Sequence, residues 1–149
     1  MRLSSLADYA VVLMTAAARA CATARLNATV LAATTGVPLP TAQKLVSRLS
    51  AAGLIESTRG TGGGFRLARA AGVITLADIV EAVEGPIALT TCVDEDRHDC
   101  ALDGRCHVKP HWAVVNEAVR GALAKVTLAD LAAPVSMPAP VSERIEVHA

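Results

Sequence analysis

Three cysteines, Cys92, Cys100 and Cys106, stand within one polar stretch from Thr91 to Trp112, separated by seven and five residues and set among acids, a glycine and His98, His107 and His111. Such a stretch has little to give a hydrophobic core. Thiolates select zinc, copper(I) and iron–sulfur clusters over hard cations. Three sulfur donors leave one coordination place open. A structural Cys₃His zinc site using His107 or His111 would fill it, although the paired C-x₂-C knuckles usual for zinc are missing. Unligated surface thiols are the remaining alternative. Cys21 stands apart, and a lone free cysteine behaves as a small apolar side chain.

The elements around this loop must hold it. A chain of 149 residues with 52% hydrophobic content can bury one core and carry a small extension. Aromatic residues are only 2% and alanine fills 30 positions, so the core must come from closely packed Ala/Leu/Val helices. The net charge of zero hides a division. Residues 1–70 carry eight Lys/Arg against two acids, and residues 71–149 six against twelve, which points to a polyanion partner for the first part alone. Asp8 and Arg19 interrupt the apolar opening, making it a mature helix and not a signal peptide. No apolar run approaches the ~18 residues of a membrane span. A cytoplasmic location is expected, where reduced thiols favour metal or redox chemistry over disulfides.

Leu6, Ala10, Leu13, Met14 and Ala17 recur at helical spacing and predict a helix over 5–20. Ser5 and Asp8 are placed as a capping box would place them. A second helix should begin near Asn27 or Thr29 and end at Gly36. Pro40 suits the first turn of a third, whose inner stripe is Ala42, Leu45, Val46 and Leu49. Its outer face carries Thr41, Gln43, Lys44, Ser47 and Arg48, groups able to meet base edges and phosphates in a major groove. Taken alone, this helix is better read as carrying a merely solvated polar face.

The sequel changes that balance. Leu54–Arg59 predicts a strand, Gly60–Gly64 a turn and Phe65–Leu67 a returning strand, with Arg59 and Arg66 making the hairpin cationic. A phosphate-binding P-loop is excluded, because no Lys-Ser/Thr follows the glycines and the loop returns into a strand. A helix–turn–helix followed by a basic hairpin is a winged helix. Thr75–Asp78 then caps a short helix ending at Gly85-Pro86. From Pro110 a long helix follows, with Trp112, Val115, Val119, Ala122 and Val126 stepping by three and four, either as a pairing stripe or as intrachain core. Thr127 to Ala133 forms a last turn, and a proline-rich, disordered tail is expected after it.

The motif Arg59-Gly60-x-Gly62-Gly63-Gly64-Phe65, between a helix–turn–helix and a three-cysteine loop, resembles the IscR/NsrR family of bacterial winged-helix regulators that sense iron–sulfur clusters. The likeness runs from Met1 to about Ala133. Leu39–Ser50 and Ile79–Thr90 are most similar to regulators of the SUF cluster-assembly operon. The resemblance implies a 2Fe-2S or 4Fe-4S cluster on Cys92, Cys100 and Cys106, with zinc as the alternative metal, and a dimer formed through the long helix. The first cysteine gap departs from the family, in which five residues are more usual. NsrR-like members take a further ligand from an aspartate in the opening helix of the other subunit, which corresponds to Asp8. IscR-like members use a histidine three residues after the third cysteine, where this chain has Lys109. Asp8 is therefore the expected ligand, with His107 as the alternative.

The sequence thus predicts a mostly α fold with a small β-hairpin wing, a winged helix–turn–helix plus a long dimerisation helix. Residues 1–85 form the DNA-binding domain with its following short helix, 86–109 the cluster loop, 110–133 the dimerisation region and 134–149 the tail. The expected function is a homodimeric transcriptional regulator, not an enzyme. Double-stranded DNA would be held by Thr41, Gln43, Lys44, Ser47, Arg48, Arg59 and Arg66, with no membrane partner. An electron-transfer iron–sulfur protein would explain the cysteines but leave the basic helix and wing without a purpose.

Overall fold

A computed structural model describes residues 2–20, 26–58, 64–94, 100–102 and 104–134. Cys21, the wing tip with Arg59, residues 95–99 with His98, and the tail beyond Pro134 lie outside the described residues. The elements run α1 (Ser5–Ala20), α2 (Ala28–Thr35), α3 (Leu39–Ala51), β1 (Ile55–Thr58), β2 (Gly64–Leu67), α4 (Leu76–Glu84), a single 3₁₀ turn (Thr91–Val93), α5 (Lys109–Ala124) and α6 (Leu128–Ala132). The predicted mostly helical winged fold is the one observed. None of the described helices is long and apolar enough to cross a membrane.

Helix α1 is the central strut, packed against α2, α3, α4 and α6. Ala7, Ala10, Leu13, Met14 and Ala17 are its buried face, while Leu6 packs at the margin. The cap differs from expectation. Ser4, not Ser5, accepts the Ala7 amide at 3.1 Å, and its carbonyl takes the Asp8 amide. The third helical position is therefore Ala7, and Asp8 has no capping role.

Asn27 caps α2 by accepting the Val30 amide at 2.8 Å, and Gly36 ends the helix at φ 79°, a left-handed position that favours glycine. Only Gly36, buried Val37 and Pro38 separate α2 from α3, which produces the helix–turn–helix. Ala42, Leu45 and Leu49 bury the inner face of α3.

The wing is an antiparallel pair with Glu56 opposite Arg66 and Ser57 opposite Phe65. Leu26 adds a bridge to Phe65, whose amide donates to the Leu26 carbonyl at 2.8 Å. This contact explains Gly64, since a Cβ there would stand 2.5 Å from the Leu26 oxygen.

The four residues Thr-Leu-Ala-Asp occur twice, at 75–78 and 127–130, and each copy forms a complete capping box. Thr127 donates to and caps Asp130, which holds that carboxyl below its usual range. The two caps face each other antiparallel, with Leu76 N donating to Val126 O and Leu128 N to Ile74 O, both at 2.8 Å. Through this junction the chain returns after α5 to the first helix. Leu128 is fully buried in the core, and Arg19 donates to the α6 carbonyls of Leu131 and Ala132.

Candidate functional site

Helix α3 presents Gln43, Lys44 and Ser47 to solvent, with Thr41 half-buried beside them. These are the groups expected to face a groove. Arg48 departs from that expectation. It is half-buried, and its guanidinium donates to the carbonyl of Val83 in the last turn of α4. Carbonyls in a helix's last turn lack intrahelical partners, and a cation at that end also meets the negative pole of the helix dipole. Arg48 therefore ties α3 to α4. On the wing, Arg66 pairs with cross-strand Glu56 at 3.0 Å, both side chains more than half exposed. Such a surface pair is worth little and yields readily to a phosphate.

The end of α4 is a junction. Glu84 accepts the Ser4 amide at 3.2 Å, bringing the start of α1 to it. Glu81 receives the Arg120 guanidinium of α5 at 2.8 and 3.2 Å, a two-point contact that raises the Arg120 pKa above its ordinary value. Gly85, at φ 88°, turns the chain out of the helix. Asn116 then holds the departing segment, donating to Ile87 O at 2.8 Å and accepting Leu89 N at 2.9 Å. None of these polar contacts was foreseen, because their partners are far apart in sequence.

Cys92 lies in the 3₁₀ turn three residues beyond Leu89, its sulfur 3.1 Å from the Thr90 hydroxyl. Cys92, Cys100 and Cys106 are all free thiols and half-buried. Among the described residues, no group of three His, Cys, Asp or Glu side chains is gathered closely enough to hold a metal ion. The loop thus brings the three sulfurs onto one connection between α4 and α5 without bringing them together. Asp8 is exposed, and its side chain bonds to none of the described residues. His107, two residues before α5, and His111, in its first turn, are both exposed.

Helix α5 buries no residue. Its inner side meets α4 through Arg120 and the segment after α4 through Asn116, whereas Trp112, Val114 and Val115 are 37, 71 and 43% exposed. Of the expected stripe, Val126 falls beyond the helix end, and the rest supplies no intrachain core. A cleft of about 730 Å³ runs between the α1 start, the α4 end and α5, lined by Leu3, Val80, Ile87, Leu89, Trp112 and Val119 among others.

A family model described as iron-dependent transcriptional regulators, Rrf2, matches residues 3–134. The chain belongs to the Rrf2 family. It is 31% identical over 131 residues to the HTH-type transcriptional regulator IscR of Klebsiella pneumoniae, covering 88% of this chain and 79% of that protein. Among solved structures, CymR, the global cysteine regulator of B. subtilis, superposes with a TM-score of 0.70 at 28% identity, over 89% of this chain and 96% of CymR. IscR of T. potens gives 0.67 at 26% identity, over 88% and 85% of the two chains. This Rrf2 protein is a winged-helix, DNA-binding transcriptional regulator, as its relatives are regulators and not enzymes.

Proposed function

We propose that the chain acts in the cytoplasm as a homodimeric sensor of iron–sulfur cluster status and governs genes of cluster assembly. The observation that carries this reading is the set of three free, half-buried thiols on the α4–α5 connection of a protein whose family is iron-dependent. The donor set fits the group, because three sulfurs in one loop suit a soft centre. Cys92, Cys100 and Cys106 would hold the cluster, 2Fe-2S or 4Fe-4S, with Asp8 as a further ligand and His107 as the alternative. A bound cluster would supply a centre responsive to oxidants and small ligands. Functionally, residues 1–85 read DNA, 86–109 carry the metal and 110–133 make the dimer.

The DNA contacts proposed are Thr41, Gln43, Lys44 and Ser47 on α3, with Arg59 and Arg66 on the wing. A two-fold dimer would engage half-sites about one helical turn, ~34 Å, or a multiple of it apart. Lys44 and Arg48 should now separate in their effects. Lys44→Ala is expected to cost about 1–3 kcal/mol of operator affinity if it reads a base, or to lower the salt slope by about one if it meets a phosphate. Arg48→Ala instead leaves the Val83 carbonyl unpartnered and should cost about 1–3 kcal/mol of folding stability. Operator titrations at several salt concentrations and denaturant unfolding of both variants check this.

The function is tested by the visible absorption spectrum of protein purified without oxygen, followed by operator binding before and after metal removal. A visible band lost together with a change in operator affinity is the expected result. A colourless protein holding stoichiometric zinc would make the loop structural, and identical affinity in both states would end the sensing assignment.

A further inference from the structure

The chain leaves α4 at Gly85 and reaches Cys92 in seven residues, and one side chain of α5 governs that passage. The Asn116 carboxamide spans the Ile87 carbonyl and the Leu89 amide, at 2.8 and 2.9 Å. An amide side chain offers a donor and an acceptor at once, so it can satisfy both backbone groups as a neighbouring strand would. One turn further along α5, Arg120 grips Glu81 of α4, and the same carboxylate accepts the Ile87 amide at 3.5 Å. Two residues after Glu81, the Val83 carbonyl accepts Arg48 of α3. The last turn of α4 is thus bonded on one side to the recognition helix and on the other to α5 and the segment leading to Cys92.

The means of attachment matters. No residue of α5 is buried, so its hold on the α4 end is carried largely by half-exposed hydrogen bonds and one ion pair. Segments secured in this way open locally at far lower cost than a packed core. A connection that must take up two positions needs that property.

We propose that Asn116, seated beside the Glu81–Arg120 pair, is a positioning residue that fixes Cys92 against α5 and couples the cysteine loop to the recognition helix through the last turn of α4. The coupling half rests on the sensing function proposed above; the positioning half does not. If Asn116 is replaced by Asp, shape is kept but the donor to Ile87 is lost and a carboxylate oxygen faces that carbonyl. Asn116→Ala removes both bonds.

The first measurement uses reduced, metal-free full-length protein. The iodoacetamide alkylation rate of each cysteine is followed by peptide mass spectrometry at one pH, with cooperative thermal unfolding verifying the fold. Asn116→Ala should alkylate Cys92 faster by on the order of tenfold, the scale expected when two ordinary hydrogen bonds are lost, and Asn116→Asp by about severalfold for the one bond lost, with Cys106 unchanged. A Cys92 rate equal to that of the unmodified protein in Asn116→Asp overturns the positioning role. The second measurement compares operator affinity with and without the cluster. The ratio should fall toward one in both variants while the visible band persists, and a variant that keeps the full ratio overturns the coupling. A ratio of one in the unmodified protein would overturn the coupling together with the sensing function, while the alkylation rates would still decide the positioning role.

Discussion

A Val115→Asp protein is expected to be monomeric and to lose operator affinity by about 10²–10⁴-fold, the range by which joined binding modules exceed a single one. The argument begins with what α5 lacks. Sixteen residues long, it buries none of them, and although Trp112 shares the face of Asn116 and Arg120, Val114 and Val115 lie off that face and are open to solvent. Scattered exposed apolar residues are ordinary, but Val115 belongs to a stripe of Trp112, Val115, Val119 and Ala122 at the three-to-four spacing of a helix that pairs. In a two-fold interface each copy presents the same patch, so one substitution places two carboxylates against apolar surface and costs several kcal/mol. Analytical ultracentrifugation and operator titration at fixed salt would register both effects. An unmodified protein that sediments as a monomer would show that α5 is not a dimer helix.

What the sequence made legible follows from the range over which each signal acts. The boundaries of α1 and α2, the proline start of α3 and the strand–glycine–strand wing depend on residues within a turn or two of one another, and spacing alone exposes them. The cap of α1 misled because Ser4 and Ser5 are both able to cap, and a suitably placed Asp8 favoured the wrong one. Arg48 misled for another reason. Its partner, the Val83 carbonyl, is a backbone group 35 residues away, and no local pattern announces it. Asn116 and Glu81 belong to the same class. The Thr-Leu-Ala-Asp repeat is different, since it was visible as letters, but only the fold shows why two copies exist: each caps its own helix while bonding to the other. The cysteine site remains the least legible part. Residue type states its chemistry, whereas the arrangement of the sulfurs depends on a loop whose middle carries no periodic pattern.

Cys92→Ser, Cys100→Ser and Cys106→Ser are each expected to abolish the visible spectrum, and against that baseline the further ligand can be assigned. The case for Asp8 is now stronger than its sequence position alone allowed. Its competing duty as a capping carboxylate belongs to no acid at all, because Ser4 caps α1 and the third helical position is Ala7. Asp8 is left exposed on the helix with no side-chain bond to the described residues. His107, next to Cys106, is also exposed, but a ligand adjoining another ligand must fold back sharply to share one centre. Asp8→Ala should therefore shift the spectrum and hasten cluster loss in air, while His107→Ala should match the unmodified protein. Such a ligand from α1 would attach the DNA-reading half of one subunit to the loop of its partner, so that losing the cluster would free the helix on which the rest of the core is packed. Spectra and loss rates of the two variants side by side decide it: an unaltered Asp8→Ala protein together with a bleached His107→Ala protein would assign the place to the histidine and remove the cross-subunit link.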